Sequence, residues 1–184
     1  GQQFVRVVDY KSGAKAFRLA DIVNGLNLQM FLYLFNVCAD DSNPYAGVPA
    51  GVLYMHAARS VMTVETKSSA ERDIAGQEDK AFGMNGIVIT NPDCDIPAAM
   101  EHDLAGKYIP VRLKKSGVGG SLASLEQLGL LQRKIEALVA DMGNALQNGQ
   151  IGQHPVQAKD HDKTCEYCDF ASVCAFKKSV TPRT

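Results

Sequence analysis

Two charged side chains near the start of the sequence have a spacing that suits metal-assisted phosphodiester hydrolysis. Asp9 and Lys11 follow a β-branched run, Phe4 to Val8, which predicts a buried strand running into a turn. Residues two apart on an extended strand point to one face, so the carboxylate and the ammonium group project together. A carboxylate in this place can hold Mg²⁺, and a lysine can orient the attacking water or neutralise charge that develops on the phosphate.

The acid-x-Lys spacing alone is not specific. Glu65 and Lys67 have the same spacing, as do Glu78 and Lys80, and surface ion pairs of this kind contribute little to stability. Only Asp9 ends a run that predicts a buried strand, because the other two pairs lie in or beside a polar stretch. The alternative interpretation, an ion pair at a strand end that faces solvent, stays open on these residues alone.

A second polar pair lies on the helix predicted after this strand. From Asp21, the predicted N-cap, to about Cys38, apolar residues are dense enough to predict one helix that is buried nearly all round. Gln29 and Tyr33 are four residues apart, so their polar ends share a face of that helix. The amide of a buried glutamine needs a partner, since an unsatisfied one costs on the order of 1–3 kcal/mol. A neighbouring backbone group would give the pair a purely structural role.

The remaining pattern alternates strands and helices, which predicts an α/β fold. Further strands are predicted within Gly51–Met62, at Gly86–Thr90 and at Tyr108–Leu113, and a long amphipathic helix runs from Leu125 to Leu146 and closes at Gly149. Residues 66 to 79 are polar and predict a solvated loop. The glycine-rich stretch Lys114–Ser121 predicts a solvated turn, although its lysines could touch a phosphate backbone.

The bulk composition describes an ordinary globular chain of 184 residues. Its net charge of −1, from 19 basic and 20 acidic residues, lacks the basic excess that is typical of nucleic-acid binders. Any positive potential must then be local to a cleft or supplied by a partner. The sequence contains neither a run of roughly 18 apolar residues nor a secretion signal, and we therefore expect a cytoplasmic protein.

Three of the five cysteines lie in the last twenty residues, at Cys165, Cys168 and Cys174. In a chain without an export signal this clustering favours a metal site over disulfides. Three thiolates cannot complete a four-ligand site. His161 could complete a zinc site, and three reduced, empty thiols are the other alternative. The remaining cysteines are interpreted as a buried thiol at a helix end, Cys38, and a loop thiol, Cys94.

The two polar pairs and their surroundings together resemble the core of RecB-like nucleases in the PD-(D/E)XK superfamily. Within it, the pattern is similar to AddB-type (RexB-type) subunits of helicase–nucleases, on the stretches Val8–Gly13, Leu26–Leu34, Pro49–Tyr54 and Met84–Val88. The resemblance covers nearly the whole chain. It implies an α/β, restriction-endonuclease-like fold, with a mixed central sheet flanked by helices at 1–150 and a cysteine segment at 151–184.

The same resemblance implies a Mg²⁺-dependent DNA exonuclease that processes double-strand ends for recombinational repair beside an AddA-type partner. Asp9 and the carbonyl group of Tyr10 would hold Mg²⁺, and Lys11 would be the catalytic lysine. Gln29 and Tyr33 would position the water, the lysine or the DNA backbone. The three clustered cysteines, Cys165, Cys168 and Cys174, would be ligands of a structural [4Fe–4S] cluster.

The sequence departs from the family pattern at two points. It lacks the fourth cysteine ligand and an upstream strand that carries a second acidic metal ligand. We therefore expect the chain alone to be weak or inactive, its cluster to be absent or incomplete, and an exposed sheet edge to invite self-association. Two other functions stay open: a stand-alone CRISPR-associated RecB-like exonuclease, and a non-catalytic DNA-binding scaffold that keeps the fold.

Overall fold

The computed structural model describes residues 2–13, 16–40, 42–57, 82–152, 155, 165 and 168–174. The described elements are β1 (Phe4–Lys11), α1 (Leu19–Val23), α2 (Gln29–Ala39), β2 (Val48–His56), β3 (Asn85–Thr90), α3 (Ile96–Met100), β4 (Val111–Lys114), β5 (Gly117–Gly120), β6 (Leu122–Ser124) and α4 (Leu125–Gln147). The chain divides into two compact units, Gly1–Glu136 and Ala137–Thr184. The functional boundary expected after residue 150 stays a prediction.

Four strands form the central sheet, in the order β1-β2-β3-β6. β1 and β2 are parallel, β2 and β3 are antiparallel, and β3 and β6 are parallel. β4 and β5 form a separate antiparallel hairpin. A mixed sheet flanked by helices confirms the predicted fold class.

The sheet buries a different apolar cluster on each face, as the alternation of side chains along β2 requires. Val52 and Tyr54 belong to the cluster that packs against α1, α2 and α4, with Phe31, Leu34 and Ile135 among its fully buried residues. Leu53 belongs to the cluster on the other face, which includes Ile96 of α3 and the loop residues Leu104 and Ile109. β1 therefore presents Val7, Asp9 and Lys11 to the face that α2 covers.

The single helix predicted from Asp21 to Cys38 is wrong, because the chain forms two helices there. Gly25 and Asn27 have positive φ angles, 84° and 57°, which no α-helix can accommodate. Asp21 is not the N-cap, a position that Arg18 occupies; instead it lies buried within α1 and accepts a hydrogen bond from Asn27 Nδ2. α2 is also exposed on one side, with Tyr33 53% exposed.

β1 is longer and less buried than its sequence predicted. The strand extends through Lys11, so Asp9 and Lys11 lie inside it and not in a following turn. Its apolar residues are half-buried because β1 is an outer strand that pairs with β2 alone among the described residues. The side chain of Tyr10 is 66% exposed.

Other elements differ from their predictions where long-range contacts intervene. The predicted turn Lys114–Ser121 is mostly the strand β5, and the strand predicted from Tyr108 begins only at Val111. The sequence did not indicate α3 or β6. α4 confirms the predicted long helix; it ends at Gln147, and Gly149, whose φ is 65°, follows two residues later. The predicted loop at residues 66 to 79 lies outside the described residues, as do the pairs Glu65–Lys67 and Glu78–Lys80. None of the described helices is long and apolar enough to span a bilayer.

Candidate active site

Asp9 and Lys11 project together from the C-terminal end of β1, as the strand geometry predicted. Lys11 Nζ forms an ion pair with Asp9 Oδ2, and the two side chains keep 36% and 30% of their surface exposed. Across the ladder, Asp9 lies opposite Tyr54 and Lys11 lies opposite His56. The pair is accessible from solvent, although it lies on the sheet face that carries the apolar cluster of Val52 and Phe31.

Lys11 is held in its charged form. Its hydrogen bond to Asp9 raises the pKa of Lys11, partial burial opposes that shift, and the negative charge of Asp9 reinforces it. An ammonium group whose pKa lies above the ordinary lysine value is protonated at neutral pH. In its protonated form Lys11 can stabilise negative charge or hold an anion in this site.

Tyr54 is a third member of the site that the sequence did not indicate. Only 6% of its surface is exposed, and Lys11 Nζ lies 5.7 Å from its ring centroid. Burial raises the pKa of the Tyr54 hydroxyl; the positive charge of Lys11 opposes the shift and the carboxylates of Asp9 and Asp21 add to it. The ring is thus a neutral platform beneath the ammonium group. Its position depends on the register between β1 and β2.

Gln29 and Tyr33 form a hydrogen-bonded pair on the exposed side of α2. Gln29 Nε2 donates to Tyr33 Oη at 2.7 Å, which confirms that the two polar ends share a helix face. The expectation that the glutamine is buried is wrong, because both side chains are exposed. The neighbouring residues Met30 and Phe31 pack into the cluster that contains Tyr54. The two polar pairs are therefore carried by elements that meet on one sheet face, and the role of the α2 pair stays a prediction.

The donor atoms around Asp9 suit a hard divalent cation. Its carboxylate and the Tyr10 carbonyl group are oxygen ligands, and Mg²⁺ commonly binds through one or two carboxylates while it keeps waters and substrate phosphates. Within the described part of the chain, no three His, Cys, Asp or Glu side chains converge on one point. Asp9 and Tyr10 can thus hold Mg²⁺ only together with water or substrate oxygens.

The three clustered cysteines are free thiols. Cys165 and Cys174 are half-buried and Cys168 is exposed. Cys168 and Cys174 bracket a tight turn, in which the Cys174 N–H donates to the Phe170 carbonyl at 2.9 Å. The three described thiols do not form an assembled metal site, and His161, the ligand of the zinc alternative, lies outside the described residues.

The two other cysteines lie where the sequence predicted. Cys38 is near the end of α2, where partial burial raises the pKa of its thiol, and Cys94 is in the turn after β3. A thiol with a raised pKa is a poor ligand and nucleophile. Neither residue enters the candidate site.

A comparison with known families decides what this arrangement is. The sequence profile of the PD-(D/E)XK nuclease superfamily matches residues 1–175. The chain belongs to the PD-(D/E)XK nuclease superfamily. The match covers the sheet, the Asp9–Lys11 pair and the clustered cysteines, so the fold expected from the resemblance is confirmed.

Relatives of this PD-(D/E)XK chain share one description, a B-type subunit of an ATP-dependent helicase/deoxyribonuclease. One such protein from Bacillus cereus is 33% identical over 187 residues, which cover 96% of the chain and 16% of the relative. The protein from Ruminiclostridium cellulolyticum is 32% identical over 182 residues, with the same coverage of 96% and 16%. The resemblance to this kind of subunit is confirmed, and the chain spans about 16% of the length of the curated relatives it matches.

Proposed function

We propose that the chain is the nuclease domain of a helicase–nuclease subunit and hydrolyses DNA phosphodiester bonds with the help of Mg²⁺. The Asp9–Lys11 ion pair, in a chain that belongs to a nuclease superfamily, carries this proposal. The relatives named as helicase/deoxyribonuclease subunits support DNA as the substrate. They favour this function over the CRISPR-associated exonuclease.

In this proposal the side chains divide binding and charge stabilisation between them. The Asp9 carboxylate and the Tyr10 carbonyl hold Mg²⁺, which supplies Lewis acidity and a more acidic bound water. Lys11 turns its ammonium group toward a non-bridging phosphate oxygen, where negative charge grows in the transition state. A lysine ammonium group is protonated at neutral pH, so this charge is present when the phosphate binds.

The α2 pair would act on the same phosphodiester from above the sheet. Gln29 and Tyr33 donate or accept hydrogen bonds without an apolar neighbour to cover them, since both are exposed. Their mutual bond at 2.7 Å limits the rotamers of both side chains. A pair held in this way can orient the attacking water or a DNA phosphate at little entropic cost.

For the whole protein we propose an AddA-type partner, a role at double-strand ends in recombinational repair, and a cytoplasmic location. The word subunit in the relatives' name supports a partner. Cys165, Cys168 and Cys174 would be ligands of a [4Fe–4S] cluster; this rests on the family resemblance alone, because the described thiols do not form an assembled site. Since few ligands surround Asp9, we infer that the chain by itself cleaves DNA slowly.

Degradation of end-labelled linear DNA with Mg²⁺ tests the nuclease proposal, with the chain and with the full-length protein beside an AddA-type partner. Lys11→Ala should lower the cleavage rate by about 10²–10³-fold, the usual cost of removing a group that stabilises transition-state charge. The matched control is Lys67→Ala, which has the same acid-x-Lys spacing. If folded Lys11→Ala degrades DNA as fast as Lys67→Ala does, the scaffold function replaces the nuclease.

A further inference from the structure

The β4–β5 hairpin has one face that combines two cations with bare backbone. Arg112 and Lys114 alternate with Leu113, so both project to the same face. Their cross-strand partners are Gly119 and Gly117, which have no side chains. We call these four residues, Arg112, Lys114, Gly117 and Gly119, the hairpin face. Glycine within a strand commonly marks a place where a ligand or another backbone approaches closely.

The two cations lie along glycine backbones and have no acidic partners among the described residues. A Cβ added at Gly106 would come within 2.5 Å of Arg112 Nε, and one added at Gly119 would come within 3.4 Å of Lys114 Nζ. Both side chains are exposed, and neither forms an ion pair with any described residue. Their charges are therefore available to an anion from outside the chain.

The charge around the hairpin face differs from that of the rest of the chain. Residues 104 to 125 contain Lys107, Arg112, Lys114 and Lys115 but no Asp or Glu, although the chain as a whole has a net charge of −1. Alternating signs would be expected of a surface that serves solubility alone. This local positive strip supplies the basic surface that is typical of nucleic-acid binders and that the overall composition lacks.

A buried carboxylate fixes the loop that leads into this strip. Glu101, only 7% exposed, accepts hydrogen bonds from the backbone N–H groups of Lys107, Tyr108 and Ile109 at 2.9–3.0 Å. Lys107 Nζ lies 5.3 Å from the ring centroid of Tyr108, which is 42% exposed. The loop thus presents an aromatic ring and a cation together, the combination on which single-stranded nucleic acids stack.

The loop that Glu101 fixes lies at the same end of the sheet as the candidate active site but on the opposite face, because Ile109 and Val111 pack in the cluster that contains Leu53, whereas Tyr54 packs in the other cluster. The Tyr108 carbonyl accepts a hydrogen bond from the N–H of Met84 at 2.8 Å. Met84 precedes Asn85, which pairs with Tyr54, and Tyr54 pairs with Asp9. One row of backbone pairing therefore connects the Asp9 position with the start of the positive strip.

We propose that Tyr108 and the hairpin face bind a single DNA strand that passes from the Asp9–Lys11 site around this end of the sheet to its other face. This inference rests on the proposed nuclease function and adds the path of its substrate. The glycines let phosphates approach the backbone, Arg112 and Lys114 neutralise them, and Tyr108 stacks on one base. Nothing in the described strip reads base edges, so binding is independent of sequence.

Binding of a labelled oligothymidylate, followed by fluorescence anisotropy in EDTA, tests the proposal without hydrolysis. The double variant Arg112→Gln/Lys114→Gln should bind roughly 25-fold more weakly at 0.1 M salt, because counterion release contributes about 0.7 log unit per contact on a single strand. The slope of log K against log salt should fall by about 1.4. The matched control, Arg133→Gln/Lys134→Gln on exposed α4 positions, should bind as the wild type does.

A second variant tests the bare backbone separately from charge. Gly119→Val adds a side chain that meets only the flexible end of Lys114, so the hairpin should still fold. Binding should weaken severalfold with an unchanged salt slope. The proposal would be overturned if Arg133→Gln/Lys134→Gln lost as much affinity for the oligothymidylate as Arg112→Gln/Lys114→Gln does. It would also be overturned if polyglutamate competed with the labelled strand as effectively as unlabelled DNA does. Because binding is measured without cleavage, failure of the nuclease proposal and failure of this one remain distinct results.

Discussion

The ammonium nitrogen of Lys11 lies 5.7 Å from the ring centroid of Tyr54, on the neighbouring parallel strand. The same ammonium group forms an ion pair with the Asp9 carboxylate, so Lys11 contacts both a carboxylate and an aromatic ring. The position of the Lys11 ammonium group thus depends on a residue of the neighbouring strand.

Substitution of Tyr54 should separate the ring from the hydroxyl group. Tyr54→Phe keeps the platform and should cleave DNA at close to the wild-type rate. Tyr54→Leu removes the ring and should lower kcat severalfold with little change in KM, since it displaces Lys11 and not the DNA. Steady-state kinetics and thermal melting of both variants check this, and equal rates in the two would show that the ring has no positioning role.

The pH dependence of cleavage should reflect a lysine that stays charged. Because the pKa of Lys11 is raised above its ordinary value of 10.5, the ammonium group persists through neutral and moderately alkaline pH. We expect no loss of rate from Lys11 until the pH passes that value. Asp9→Asn removes the main cause of the raised pKa and a Mg²⁺ ligand, so it should abolish metal-dependent activity. A decline near neutral pH that disappears in Lys11→Arg would contradict this assignment.

Glu101 should stabilise the fold only while it is ionised. Burial alone would raise its pKa, but hydrogen bonds from the backbone N–H groups of Ile109, Lys107 and Tyr108 outweigh that effect and lower it. A group whose pKa is lowered in the folded state stabilises the protein fully when the pH lies above its pKa in the unfolded chain. That stabilisation is lost as the pH falls through the folded-state pKa.

Glu101→Gln should therefore cost about 1–3 kcal/mol at neutral pH and less in acid. Denaturant unfolding at several pH values, at and below the ordinary glutamate value of 4.5, measures the difference. Exposed Glu126 provides the control variant, Glu126→Gln, which should change little at any pH. A Glu101→Gln cost that stays constant into strong acid would show that the carboxylate charge is not what holds the loop.

The outer strand β1 should mediate concentration-dependent association. Among the described residues it pairs only with β2, so its other side presents backbone groups that a second strand can use. Light scattering after size exclusion should show dimers or larger species that increase with concentration. Tyr10→Lys places a charge on an exposed edge position and should reduce them. Association unchanged by this variant would locate the contact elsewhere.

The metal content of the cysteine segment can be tested directly. Anaerobic purification of the full-length protein followed by elemental analysis should find iron, and Cys165→Ser should remove it while Cys38→Ser does not. Zinc in place of iron would favour the Cys₃His alternative. If the purified wild-type protein contains neither iron nor zinc, the three cysteines are reduced, empty thiols.

Local chemistry in the sequence determined a large part of the site. Alternation along an extended strand placed Asp9 and Lys11 on one face, and helical spacing joined Gln29 to Tyr33. α4 was predictable because its apolar period and closing glycine act within one segment. These features depend on residues a few positions apart, whose geometry does not require the rest of the fold.

Only the tertiary structure decided what surrounds them. Tyr54 reaches Lys11 because two strands pair in one register, although more than forty residues separate them. The positive φ angles at Gly25 and Asn27 divide a segment whose apolar pattern continues across it. Glu101 fixes a loop because its carboxylate accepts hydrogen bonds from three backbone N–H groups of that loop. The Tyr54 contact forms only once distant segments pack, and in all three cases no simple sequence pattern specifies which partner a buried or paired group will meet.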